Sequence, residues 1–76
     1  FAISGDGKLL YVANEDAAGV SIIELASGKV LAELKTGEEP EGVTISPDGK
    51  FVYVTSEDDG SVAVIDTAAG KVVKTV

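Results

Sequence analysis

The sequence predicts an all-β chain of two four-stranded antiparallel units. Three observations carry this: a 42-residue internal repeat, four strand-length apolar runs in each copy, and tight-turn residues between the runs. Apolar residues do not recur at helical spacing anywhere in the chain.

Sliding the chain by 42 residues aligns 1–34 with 43–76 without a gap, and 15 of the 34 pairs are identical. Among them are Ile3/Ile45, Ser4/Ser46, Asp6/Asp48, Gly7/Gly49, Lys8/Lys50, Tyr11/Tyr53, Val12/Val54, Gly28/Gly70 and Lys29/Lys71. Others are conservative, such as Leu9/Phe51 and Glu24/Asp66. Chance does not give such agreement, so each copy is one structural unit.

In the first copy the strand-length runs are 1–3, 9–13, 20–25 and 30–34; in the second they are 43–45, 51–55, 61–66 and 72–76. β-Branched and aromatic residues dominate them. Gly5-Asp6-Gly7 and Pro47-Asp48-Gly49 separate the first run from the second. Proline presets φ and glycine supplies positive φ, so both read as tight hairpins. A longer turn, 15–19 or 57–60, leads to the third run. Ser27-Gly28 and Ala69-Gly70 make the last hairpins.

Four antiparallel strands in about 40–45 residues is the period of a propeller blade. Leu9-Leu10-Tyr11-Val12 and Phe51-Val52-Tyr53-Val54 are apolar at consecutive positions. A strand covered on one face alternates; one covered on both reads as a continuous run. Stacked blades cover their middle strands twice. The expected fold is therefore two four-stranded antiparallel propeller blades, part of or assembling into a closed β-propeller. The boundaries are 1–34 for the first blade, 35–42 for the linker and 43–76 for the second. An eight-stranded sandwich would explain the strand number but not the period.

Composition narrows function by exclusion. Thirteen acids face six lysines and no arginine, for a net charge of −7. Nucleic-acid phosphates and anionic membranes both need cationic side chains. No apolar run reaches membrane-spanning length. With no Cys and no His, disulfides and the usual zinc and haem ligands are missing from these residues. No leader is read in the sequence. The chain begins at Phe1 rather than Met, so it is expected to be processed, cut or partial.

Ser46-Pro47-Asp48-Gly49-Lys50-Phe51-Val52-Tyr53-Val54-Thr55-Ser56 resembles the YVTN-type β-propeller repeat of surface-layer and cell-envelope proteins. The first copy, Tyr11-Val12-Ala13-Asn14, keeps the motif's asparagine; the second has Ser56 there. Thr36-Gly37-Glu38-Glu39-Pro40-Glu41-Gly42 is similar to that family's linker, and Gly28-Lys29-Val30 to its last hairpin. The resemblance implies an extracytoplasmic site, periplasmic or at the cell surface. Similar propellers include lactonase-like enzymes and haem-bearing, nitrite-reductase-like domains. Their catalytic or ligand residues generally include His or Arg, so no catalytic residue and no cofactor transfers to this chain. The expectation is a protein that is not an enzyme.

The resemblance also places the loops. Those joining strand two to three, and strand four to the next blade, share one face. That face gathers Glu15, Asp16, Glu38, Glu39, Glu41, Glu57, Asp58 and Asp59. One reading is an interaction face for a basic partner, centred on Glu15, Asp16, Glu38, Glu39 and Glu41. A second is a divalent-cation site, Ca2+ for example, at Glu57, Asp58 and Asp59. A third is solvated turns that keep a repetitive β surface soluble. Asp6 and Asp48 read as turn caps, Tyr11 and Tyr53 as core. Ser4, Ser46 and Thr55 have no histidine to activate them.

Two blades do not close a ring, and their outer faces would expose apolar side chains. Either further blades of a parent chain cover them, or copies associate, three giving six blades and four giving eight. The regularity of the two copies is also what a consensus-like, engineered sequence would show. The first functional reading is a non-enzymatic scaffold or protein-interaction module. The alternatives are an inert slice of a larger enzymatic or redox propeller, and cation binding on the acidic face.

Overall fold

The computed structural model describes residues 1–58 and 60–76. Its eight strands are β1 (Ala2–Ile3), β2 (Leu9–Asn14), β3 (Gly19–Glu24), β4 (Lys29–Lys35), β5 (Pro40–Ile45), β6 (Phe51–Ser56), β7 (Ser61–Asp66) and β8 (Lys71–Thr75). They form two antiparallel sheets, ordered β1-β2-β3-β4 and β5-β6-β7-β8. Each sheet is one blade of a propeller, as the repeat predicts. β5 begins at Pro40, earlier than the apolar pattern places it. Pro40 stands opposite Ser56 and Gly42 opposite Thr55, so Glu41 is the extra residue of a bulge.

The first hairpin of each blade has one bonding scheme, used twice. The Gly7 amide donates to the Ser4 carbonyl at 2.9 Å, and the Gly49 amide to the Ser46 carbonyl at 2.9 Å. The Ser4 hydroxyl donates to Asp6 Oδ1 at 2.6 Å while accepting from the Leu9 amide at 3.0 Å. Ser46, Asp48 and Phe51 repeat this at 2.6 and 3.0 Å. Gly7 and Gly49 close the turns at φ 74 and 73°, a region that costs an L side chain energy. The two aspartates are therefore turn caps, as their place before glycine predicts.

The core lies between the sheets. Register sorts each blade into two faces. In the first, Tyr11 pairs with Ile22 and Ala13 with Val20, and these side chains share a face. In the second, Val52 pairs with Ile65 and Val54 with Ala63. Tyr11, Val20 and Ile22 meet Val52, Val54, Ala63 and Ile65 in one buried cluster. The face of β6 that carries Tyr53 points outward, and Tyr53 is 37% exposed against 1% for Tyr11. The expectation that both tyrosines are core holds for Tyr11 only. Each sheet is covered on one face, so the continuous apolar runs leave Leu10, Val12, Phe51 and Tyr53 facing away from the seam.

Candidate functional site

Two places gather polar side chains, at opposite ends of the seam. One end carries the loops between β2 and β3, between β4 and β5, and between β6 and β7. Two left-handed, non-glycine residues shape it. Ala18, at φ 53°, accepts at its carbonyl from the Thr36 and Gly37 amides at 3.1 and 3.2 Å. Glu39, at φ 51°, accepts from the Glu57 amide at 3.1 Å. These bonds tie the loop that leaves β4 to the loops that leave β2 and β6. Unfavourable dihedrals persist where surrounding bonds over-determine them.

That clamp crowds carboxylates. Asp58, then Glu15, Glu57 and Glu38 push the Glu39 carboxyl above its ordinary value. Glu41 is also pushed up, first by a hydrogen bond shared with the Glu57 carboxyl and then by its charge. The structure thus brings together Glu15, Glu38, Glu39, Glu41, Glu57 and Asp58 of the sequence-predicted acidic face. Asp16 is exposed in the same loop as Glu15. The Lys35 ammonium donates to the Ala17 carbonyl at 3.0 Å, at the margin of this end. Asp59, the third residue of the expected cation site, lies outside the described residues. Among the described residues, no group of three or more carboxylates is close enough to hold a metal ion.

The opposite end carries the two Ser-x-Asp-Gly hairpins. A cleft of about 370 Å3 opens there between the blades, lined by Ser4, Asp6, Tyr11, Asp48 and Thr67 among others. Thr67 donates to the Gly49 and Lys50 carbonyls at 2.8 and 3.1 Å, fastening the β7–β8 hairpin to its neighbour. Burial, and then the charge of Asp6, pushes the Tyr11 phenol up. Asp6 and Asp48 are both held below 3.8, first by the serine hydroxyl and then by the Lys8 and Lys50 amides. Sequence reading missed this cleft because it spans two blades. Its signal was the paired hairpin motif, which puts both aspartates at one end.

The two ends titrate in opposite senses. The raised Glu39 and Glu41 cost stability above their folded pKa values, and that cost is relieved as pH falls through those values toward 4.5. The lowered Asp6 and Asp48 contribute stability above 3.8 that is lost as pH falls through their lower folded values. The melting temperature should therefore rise on acidification from neutrality to about pH 4–5 and then fall. Melts followed by circular dichroism from about pH 2.5 to about pH 7.5 check this. Glu39→Gln should raise the neutral-pH melting temperature and flatten the acid rise. A melting temperature that falls monotonically from pH 7 would contradict it.

With this geometry in place, comparison with known proteins identifies the setting. A family model described as the cytochrome D1 heme domain matches residues 1–76. Among solved structures, Kuenenia stuttgartiensis hydrazine synthase superposes with a TM-score of 0.90 at 30% identity. The match covers 96% of this chain and 21% of that one, so the chain spans about a fifth of its relative's length. No curated protein sequence matches. Both matches confirm a β-propeller and point to haem-bearing and redox propellers. They overturn two expectations: that the protein is not an enzyme, and that no cofactor belongs to it. These 76 residues contain no His, Arg, Cys or Met.

Proposed function

The chain belongs to the cytochrome D1 heme domain family, and from that premise we propose that its two blades are a framework segment of an enzymatic, redox propeller. The observation that carries this is the match across all 76 residues to a heme domain, set beside the donor chemistry of those residues. Haem iron takes imidazole, thiolate, thioether or phenolate ligands. The chain has no His, Cys or Met. Of its two phenols, Tyr11 is 1% exposed in the seam and is held protonated by burial. Tyr53 stands on an outer sheet face. The acidic end would also repel the carboxylates of a haem.

These residues do not fit the group by themselves, so no step is derived through it. The haem ligands of the proposed propeller come from blades other than these two. Their contribution is the rigid sheet pair, the acidic end and the cleft wall. The repeats themselves read as YVTN-like within that family, on the strength of Tyr11-Val12-Ala13-Asn14 and the Ser-Pro-Asp-Gly hairpin.

Haem titration of the 76-residue chain tests the assignment. Free haem should keep the spectrum of unligated haem in its presence, and Tyr53→Phe should change nothing. A stoichiometric, ligated Soret band that Tyr53→Phe or Tyr11→Phe abolishes would overturn it, because it would place an axial ligand within these blades.

A further inference from the structure

We infer that the cleft at the hairpin end of the seam is a binding site for a small organic cation, an ammonium group on a short apolar body. Both blades of this chain build its walls: Asp6, Leu9 and Tyr11 come from the first, Ile45, Asp48 and Ala68 from the second. Its volume of about 370 Å3 falls in the size class of small-molecule sites, about 300–1,000 Å3. Tyr11 is the first sign of a ligand. The residue is 1% exposed, yet no described group bonds to its hydroxyl. The described side-chain oxygens that are sealed from solvent without a partner belong to Thr36 and Ser56. The Tyr11 hydroxyl is not among them, so it opens on the cleft that the residue lines. A buried phenol ordinarily finds a hydrogen-bond partner, and here the cleft is where one would come from.

The carboxylates say what kind of ligand. Oδ1 of Asp6 accepts from the Ser4 hydroxyl and the Lys8 amide, and Oδ1 of Asp48 from the Ser46 hydroxyl and the Lys50 amide. Oδ2 of each takes no hydrogen bond from another described residue. Asp6 stands near enough for its charge to reach the phenol. The lining holds no cationic side chain, and its other hydroxyls are engaged, Ser4 with Asp6 and Thr67 with the Gly49 and Lys50 carbonyls. The cleft therefore offers acceptors and negative charge, and lacks donors. An ammonium supplies N–H donors to the carboxylates and the phenol oxygen, in bonds that charge strengthens. Leu9, Ile45 and Ala68 give its carbon body an apolar wall. A neutral polyol would meet the hydrogen bonds but not the charge. A bare metal ion fits less well, for among the described residues no group of three acids is placed to hold one. The site is independent of the framework reading: it stands at the end opposite the acidic loops, and either can fail without the other.

Titration of the chain with butylammonium, followed by amide proton–nitrogen NMR spectra, tests this. The shifts should saturate and centre on the amides of Ser4, Asp6, Leu9, Asp48 and Thr67. Butanol, the uncharged match, should bind at least about tenfold more weakly. Asp6→Asn combined with Asp48→Asn keeps an Oδ1 acceptor in each turn and removes both charges. That chain should bind butylammonium at least about tenfold more weakly. Tyr11→Phe should weaken binding several-fold while leaving the melting temperature close to that of the natural chain. Glu39→Gln, at the acidic end, should leave binding unchanged. The acidic end is the internal control, because a chain of net charge −7 attracts cations in general. Shifts confined to the acidic loops would overturn the proposal, as would no saturable shift at all. So would butanol bound as tightly as butylammonium, or binding that the double asparagine change or a folded Tyr11→Phe leaves untouched. Should Tyr11→Phe unfold the chain, the asparagine pair decides.

Discussion

Tyr11→Ala should unfold the chain, whereas the same change at its repeat equivalent, Tyr53→Ala, should leave the monomer folded. Both tyrosines sit at the centre of a second strand, and both precede a valine. Only register and position in the stack separate them. Tyr11 is 1% exposed, on the face shared with Ile22 and Val20, and lies against the second blade. Deleting a buried aromatic side chain removes its transfer free energy and leaves a cavity, together about 3–5 kcal/mol. A chain this small has a total stability of about 5 kcal/mol, so little would remain. Tyr53 already faces solvent, and its truncation should cost the monomer under about 1 kcal/mol. Urea denaturation of the two variants separates them. Equal midpoint shifts for both variants would refute the one-seam assignment.

That contrast shows what was readable in the residues and what was not. Strand number, hairpin chemistry and blade architecture follow from local signals: the Ser-x-Asp-Gly turns, the β-branched runs and the period. Which of two identical tyrosines is buried is not a local property. A repeat gives Tyr11 and Tyr53 the same pattern, and only the stacking direction of the blades decides between them. Pro40 is a similar case. A proline among Gly and Glu reads as loop, yet it opens β5, because the Glu41 bulge lets the strand resume pairing at Gly42. The acidic end was legible as composition and loop placement. The clamp that crowds Glu39 was not, since it depends on a left-handed backbone and an amide from Glu57. The haem and redox setting was read only as an alternative. Imidazole, thiolate and thioether donors are absent from these residues, and framework strands carry no chemical signature of the cofactor they help enclose.

Gly19→Ala should cost about 3 kcal/mol, while Gly5→Ala should be neutral. The repeat suggests otherwise, for Ser61 occupies the position equivalent to Gly19 and a side chain is accommodated there. The difference lies in β4. Gly19 is buried opposite Lys35, at the end of the β3–β4 ladder. A Cβ on it would stand 1.9 Å from the Leu34 carbonyl oxygen and 2.8 Å from its carbon. Both atoms are backbone, so no rotamer change relieves the overlap; β3 and β4 must part. Val20, next in the chain, pairs with Leu34 and belongs to the core cluster, so the separation reaches the seam. Gly5 is the control: a Cβ there meets nothing within 4 Å, and its equivalent is Pro47. Denaturation midpoints give the two costs. Hydrogen exchange locates the damage, with the β3 and β4 amides of Gly19→Ala exchanging faster than those of β6. A Gly19→Ala chain as stable as Gly5→Ala would mean that β4 does not run as close to β3 as the ladder places it.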